Sequence, residues 1–308
     1  MNLSIQLAPR NEQALSLSNP VIAASGTFGY GAEYSELIDI QQLGAVVSKG
    51  MTLKPRQGNS QPRLVETHGG LLNSIGLENI GANALIREKA PLWAQWQVPV
   101  IVNIAGESTL EYTELAWALS EVKGVSGIEV NISCPNVAAG GMEFGVSPQM
   151  AAEVTSTVKG HTSLPVIVKL TPNVTDITEI ARAVADAGAD CLTIANTFKG
   201  IAIDTAKRQP VLGNTSGGLS GPAIKPLSLY LVYRVAQAVK IPIIGCGGIA
   251  SATDALEFIM AGASAIQVGT ATFADPQIML GIVDGIKRFM IREGVNDVSE
   301  LIGAANAG

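Results

Sequence analysis

The chain has 308 residues, 47% hydrophobic and 15% charged, with a net charge of −6. This balance describes a compact globular protein with a sizeable core, and the acidic charge, with no Lys/Arg run beyond a pair, argues against a nucleic-acid partner. No apolar run approaches the roughly 18 residues of a membrane-spanning helix, and the first residues lack the basic and apolar regions of a signal peptide, so a soluble cytoplasmic protein is expected.

Residues 1–18 alternate weakly and read as a short N-terminal hairpin. Eight short apolar strands follow, at residues 21–24, 45–48, 99–103, 127–131, 166–169, 191–195, 242–245 and 265–268. Helical periodicity follows most of them, at residues 110–122, 148–158, 177–187, 225–239, 252–261 and 276–293. Strands alternating with helices predict a parallel α/β sheet, and a count of eight predicts a (β/α)8 TIM barrel rather than an open doubly wound sheet. Long insertions fall after strands 2 and 6, at residues 49–81 and 196–221; both are rich in Gly, Pro, Asn and Ser, and loops of such length are usually functional. With no internal repeat and no linker, residues 1–308 are expected to form a single domain.

In such a barrel the chemistry sits at the carboxyl ends of the strands. Ser25, Lys49, Asn103, Asn131, Lys169, Asn196, the glycine run at residues 245–248 and Gly269-Thr270 fall there. The set holds two lysines, three asparagines and no acid. Lys169 ends a buried apolar strand, where a cation is ordinarily paired. Gly247-Gly248 and Gly269-Thr270 follow the seventh and eighth strands, the common phosphate position of these barrels; either alone reads as a tight turn, and both together favour a phosphorylated ligand. No G-x-G-x-x-G follows the first strand to hold NAD, whereas lysines without a nearby acid suit a flavin phosphate and an electron-rich flavin ring.

Residues 127–145 carry the sharpest signal. A β-branched run, Ile128, Val130 and Ile132, ends in Asn131 and a Cys134-Pro135 step, and Pro135 cannot continue a ladder. A lone Cys is more often structural, but the amides of Asn131 and Asn136 flank this one. A thiol, with an ordinary pKa of about 8.5, serves as a general base near neutral pH where its surroundings favour the thiolate. A nucleophilic Cys would want a His partner, and neither His68 nor His161 can be brought there by spacing. Cys191 and Cys246 read as strand residues with a packing role. The three thiols show no paired spacing, which fits a reducing compartment, and are too few for an all-Cys iron–sulfur cluster; no metal site is expected.

Four stretches in consistent order give a resemblance. Asn73-Ser-Ile-Gly-Leu77, Asn131-Ile-Ser-Cys-Pro-Asn136, Val168-Lys-Leu-Thr-Pro-Asn173 and Ile244-Gly-Cys-Gly-Gly-Ile249 resemble the signatures of class 1 dihydroorotate dehydrogenase, and the match runs from about Asn19 to Thr272. Ala24-Ser-Gly-Thr-Phe-Gly29 and Thr171-Pro-Asn-Val174 are closer to the NAD-linked class 1B catalytic subunit than to the fumarate-using class 1A enzyme. The resemblance implies FMN, one per chain, lined by Ser25, Lys49, Gly50, Asn103, Asn131, Lys169, Ala195, Gly221, Gly247, Gly248, Gly269 and Thr270. It implies dihydroorotate held by Lys49, Asn73, Ser74, Ile75, Gly76, Leu77, Asn131, Asn196 and Thr197, with Cys134 as the base. It further implies a homodimer and an electron-transfer partner carrying FAD and a 2Fe-2S cluster, in a two-plus-two assembly that passes electrons to NAD. The competing readings are a class 1A enzyme, another flavin barrel reductase such as a dihydropyrimidine type, and a non-catalytic binder of phosphorylated ligands.

Overall fold

The computed structural model describes residues 1–133, 135–136 and 142–306. Eight parallel strands close into a barrel: β1 (Val21–Ala23), β2 (Ala45–Val47), β3 (Val100–Ile104), β4 (Gly127–Asn131), β5 (Val166–Lys169), β6 (Cys191–Ile194), β7 (Ile243–Cys246) and β8 (Ala265–Val268). Each pairs with its chain neighbour, and β8 returns to β1 with Val268 opposite Ala23. Strands such as Val166-Ile167-Val168 are fully buried, as expected where helices cover the outer face and side chains fill the lumen. All eight strands predicted from the sequence are present, with ends that differ by a residue or two.

Helices surround the barrel: α1 (Ala82–Glu88), α2 (Ala90–Trp93), α3 (Thr109–Leu119), α4 (Pro148–Lys159), α5 (Ile177–Asp186), α6 (Lys225–Ala236), α7 (Ala252–Met260), α8 (Ala271–Ala274) and α9 (Ile278–Glu293). Their starts have local causes. Ser108, Ser147, Asp176 and Ser251 each accept a hydrogen bond from a backbone N–H in the first turn of α3, α4, α5 and α7. Gly294, in the left-handed region at φ 71°, ends α9. The N-terminal hairpin pairs Ile5–Gln6 with Ser16–Leu17, and its Leu7, Leu15 and Leu17 are buried. Among the described residues no helix is long and apolar enough to cross a membrane.

The two insertions are not independent loops. Leu64–Thr67 and Gly70–Asn73 from the first join Phe198–Gly200 and Gly217–Ser220 from the second in one antiparallel sheet. Leu72 faces Leu219 and Asn73 faces Gly218 across the seam. Glycine makes the seam: a Cβ on Gly70 would lie 2.1 Å from the Ser220 carbonyl oxygen, and one on Gly217 2.3 Å from that of Asn73. Buried Asn79 ties the two ends of the first insertion to each other. Its Nδ2 donates to Thr52 Oγ1 and to the Leu77 carbonyl, each at 2.7 Å, while its Oδ1 accepts from Gly81 N at 2.8 Å.

Candidate active site

At the carboxyl ends of the strands lies a cavity of about 680 Å³, roofed by the joint sheet. That volume suits a cofactor-sized ligand. Every described residue expected to line the flavin or the pyrimidine is on its wall. Ser25 comes from the end of β1, Lys49 and Gly50 from β2, Asn103 from β3, Asn131 from β4, Lys169 from β5, and Ala195, Asn196 and Thr197 from beyond β6. Gly247 and Gly248 follow β7, and Gly269 and Thr270 follow β8. The insertions contribute Asn73, Ser74, Ile75, Gly76 and Leu77 from one side and Gly221 from the other. Cys134, the expected base, lies outside the described residues, as do residues 137–141 beside it. Its neighbours Asn131 and Ser133 line the cavity.

The glycine loops form a cradle that side chains would fill. Gly247 and Gly248 have φ values of +125° and +79°, and a Cβ on Gly248 would come within 2.6 Å of the Lys225 backbone nitrogen. Here only glycine meets both the conformation and the space. Behind the loop, Lys225 Nζ pairs with Asp254 at 2.7 Å and Glu257 at 2.9 Å. Asp254 also accepts from Ala250 N at 3.0 Å and Ser251 Oγ at 2.8 Å, which fixes the turn into α7. Across the cradle Thr270 Oγ1 donates to Ser220 Oγ at 2.7 Å. Close backbone approach and hydroxyls fit the phosphate end of a flavin mononucleotide.

The cationic residues are placed differently. Lys49 is half-buried on the wall, and its ammonium has no ion-pair partner among the described residues. Lys169, only 4% exposed, donates to Gln267 Oε1 at 3.0 Å and Ser25 Oγ at 3.4 Å. Its pairing was expected; its partner was not. The strand-end set read as free of acids, yet Glu129, fully buried two residues before Asn131, brings Oε1 to 3.7 Å from Lys169 Nζ. Lys169, unlike Lys49, therefore does have an acid beside it. The last residue of each strand does not reveal this acid, because alternation along β4 puts Glu129 and Asn131 on the same face. Burial works against the charge of Lys169, but Glu129, with a smaller contribution from Cys246, outweighs it and holds the pKa above the ordinary lysine value.

Cys246 also differs from its expected packing role. It lines the cavity, where burial pushes its thiol up although the Lys169 charge acts the other way. Cys191 is buried in β6, as a strand residue should be. Further wall residues that strand-end reasoning passed over are Arg56, Asn59 and Glu78 on the first insertion and Ser216 and Ser220 on the second. Arg56 pairs with Glu107 at 2.7 Å.

Comparison with known proteins agrees with this geometry. A family model described as dihydroorotate dehydrogenase matches residues 10–290. A protein of Desulforamulus reducens is 56% identical over 306 residues, 99% of each chain. One from Geotalea uraniireducens is 52% identical over 303 residues, 98% of each chain, and one from Pelobacter propionicus is 54% identical over 294 residues, 96% of this chain and 97% of its own. All three are called dihydroorotate dehydrogenase B (NAD(+)), catalytic subunit. This chain belongs to the dihydroorotate dehydrogenase family and, within it, goes with the NAD-linked class 1B catalytic subunits.

Proposed function

We propose that the chain, acting as one domain, oxidises dihydroorotate to orotate in pyrimidine synthesis, with FMN in the cavity. The observation that carries the reading is convergence: residues from all eight strand ends and both insertions meet on one wall that offers a glycine cradle, neutral amides and two lysines. When bound, FMN would supply the hydride acceptor. The protein's own residues would do the rest. Gly247, Gly248, Gly269 and Thr270 would hold the phosphate, and Lys169 would place positive charge where the cofactor gathers negative charge. Lys49 would meet the substrate carboxylate. Asn73, Asn131 and Asn196 would recognise the pyrimidine edge, a task for groups that both donate and accept. Cys134 would take the proton from substrate C5 as general base.

Reoxidation would go through a second polypeptide carrying FAD and a 2Fe-2S cluster, with NAD as final acceptor, in a cytoplasmic two-plus-two assembly. Two features support a partner. The strands lack a dinucleotide fingerprint, and three cysteines cannot hold an all-Cys cluster. The test is acceptor choice by the purified chain: orotate should form with an artificial dye and not with NAD until the partner is added. NAD reduction by the chain alone would refute the partner, and a failure to form orotate with either the dye or the partner would refute the activity.

A further inference from the structure

Glu129 is a buried acid at the heart of the barrel to which the proposed chemistry gives no task. We propose that Glu129 is a positioning residue of the flavin site, fixing the Lys169 ammonium at the cavity wall and balancing its charge. This rests on the flavin reading of the cavity.

The geometry carries it. Glu129 is fully buried, and its two oxygens meet groups from four other strands. Asn103 Nδ2, from β3, donates to Oε1 at 2.7 Å. Thr193 Oγ1, from β6, and Gln267 Nε2, from β8, donate to Oε2 at 2.8 and 2.6 Å. Lys169 Nζ, from β5, stands 3.7 Å from Oε1, an ion pair rather than a hydrogen bond. Donors on every side suit a carboxylate, which only accepts. Gln267 links the two charges: its Nε2 donates to Glu129 while its Oε1 accepts from Lys169 at 3.0 Å. One orientation of that amide satisfies both, so it locks the acid and the base to each other.

Lys169 spends two of its three protons on Gln267 and Ser25. One donor remains for a ligand in the cavity that it lines. A buried cation without a counter-charge loses its proton or its place. The titratable groups facing Lys169 are Glu129 on β4 and Cys246 on β7, while Ser25 and Gln267 are neutral. Glu129 is thus the acid that opposes the cost of burying the ammonium. Thr193 and Gln267 hold it from strands that close the barrel elsewhere, so the site is braced across the lumen. A purely structural carboxylate would need no cation beside it, and replacing it would alter stability alone.

The test is the midpoint potential of bound FMN, measured without dihydroorotate from about pH 6 to about pH 10, below the ordinary lysine pKa of about 10.4. Wild type, Glu129→Gln and Glu129→Gln/Lys169→Met are compared. Wild type should show no inflection from Lys169 in that range. Glu129→Gln should show one, with the potential falling above it as the lysine loses its proton, and should hold FMN about tenfold more weakly or worse there, the scale of a hydrogen bond to a charged group. The double variant should lose the inflection. A Glu129→Gln profile superimposable on wild type overturns the proposal, and so does an inflection that persists in the double variant. If Glu129→Gln does not fold, the double variant, which removes both charges, should fold and take up flavin; failure of both makes Glu129 a core residue only and also overturns it. Wild type that binds no FMN overturns the cavity reading itself, a different result from FMN bound with an unchanged profile.

Discussion

Asn196 Nδ2 donates to Asn131 Oδ1 at 3.2 Å and to Ser133 Oγ at 3.1 Å, coupling the insertion after β6 to the end of β4. Asn131 Oδ1 also accepts from Ser133 N at 3.2 Å, and the Asn131 carbonyl accepts from Tyr112 Oη at 2.6 Å. Both amides are therefore oriented before any ligand arrives. Among the described residues no acceptor takes Asn131 Nδ2, which leaves it for the cavity. Asn196→Ala should release this orientation and weaken orotate binding by roughly five- to 150-fold, the effect of about 1–3 kcal/mol for an unsatisfied or lost hydrogen bond. FMN content should stay at the wild-type level. Spectral titration of the flavin with orotate measures both, and unchanged orotate affinity would contradict the assignment.

The two glycine loops should respond differently to alanine. At Gly248 a Cβ meets the Lys225 backbone and the φ is +79°, so Gly248→Ala should lower both stability and flavin retention. At Gly269 the nearest atom would be Ala24 Cβ at 3.6 Å, an ordinary contact. Gly269→Ala should therefore melt within a degree or two of wild type yet bind FMN at least about tenfold more weakly, if a phosphate approaches that backbone. Thermal melts of the apoprotein beside flavin binding separate the two; full FMN affinity in Gly269→Ala would remove the phosphate from that loop.

The barrel was legible because its strands are continuous apolar runs with turn residues at their ends, as in Val166-Ile167-Val168 before Lys169. The strand-end part of the cavity wall was legible because polar residues close otherwise apolar runs, whereas Gly50, Ala195, Thr197, Gly221 and the stretch from Asn73 to Leu77 came only with the family resemblance. Two features were hidden, each for a physical reason. The joint sheet is built on Gly70, Gly217 and Gly218, and glycine is a poor strand former by propensity; only the close backbone seam, formed by segments almost 150 residues apart, explains why it is used. Glu129 was passed over because its value lies in Asn103, Lys169, Thr193 and Gln267, which converge on it from four other strands. Period-two alternation from Asn131 is the signal that would have found it.

The Lys225–Asp254 pair should make stability depend on pH in a defined direction. Burial opposes the charge of Asp254, but Lys225, Ala250 N–H and Ser251 outweigh it and hold its pKa below the ordinary value. Its contribution is therefore present above the unfolded carboxylate value of about 3.9 and is lost as pH falls through the folded pKa. Hydrogen bonds to Asp254 and Glu257 raise the pKa of Lys225, so that contribution is present below about 10.4 and lost as pH rises through the higher folded value. Lys225→Met should destabilise by about 0.5–1 kcal/mol at neutral pH, with the difference shrinking in acid. Urea unfolding at several pH values checks this; a pH-independent difference would mean that packing, not charge, is lost.

Replacing the expected base should separate binding from chemistry. Cys134→Ser should keep FMN and orotate affinity while slowing flavin reduction by roughly a hundredfold or more, with partial recovery at high pH where the hydroxyl begins to ionise. Rapid-mixing absorbance measures the rate directly. Reduction at the wild-type rate would remove Cys134 from the mechanism.

The central claim is tested most directly by anaerobic titration of the purified chain with dihydroorotate, followed at the flavin absorbance. The account predicts a yellow protein with one FMN per chain, bleached by about one equivalent of dihydroorotate as one orotate forms. A colourless protein that takes up no FMN, or a flavin that keeps its colour in excess dihydroorotate, would contradict it.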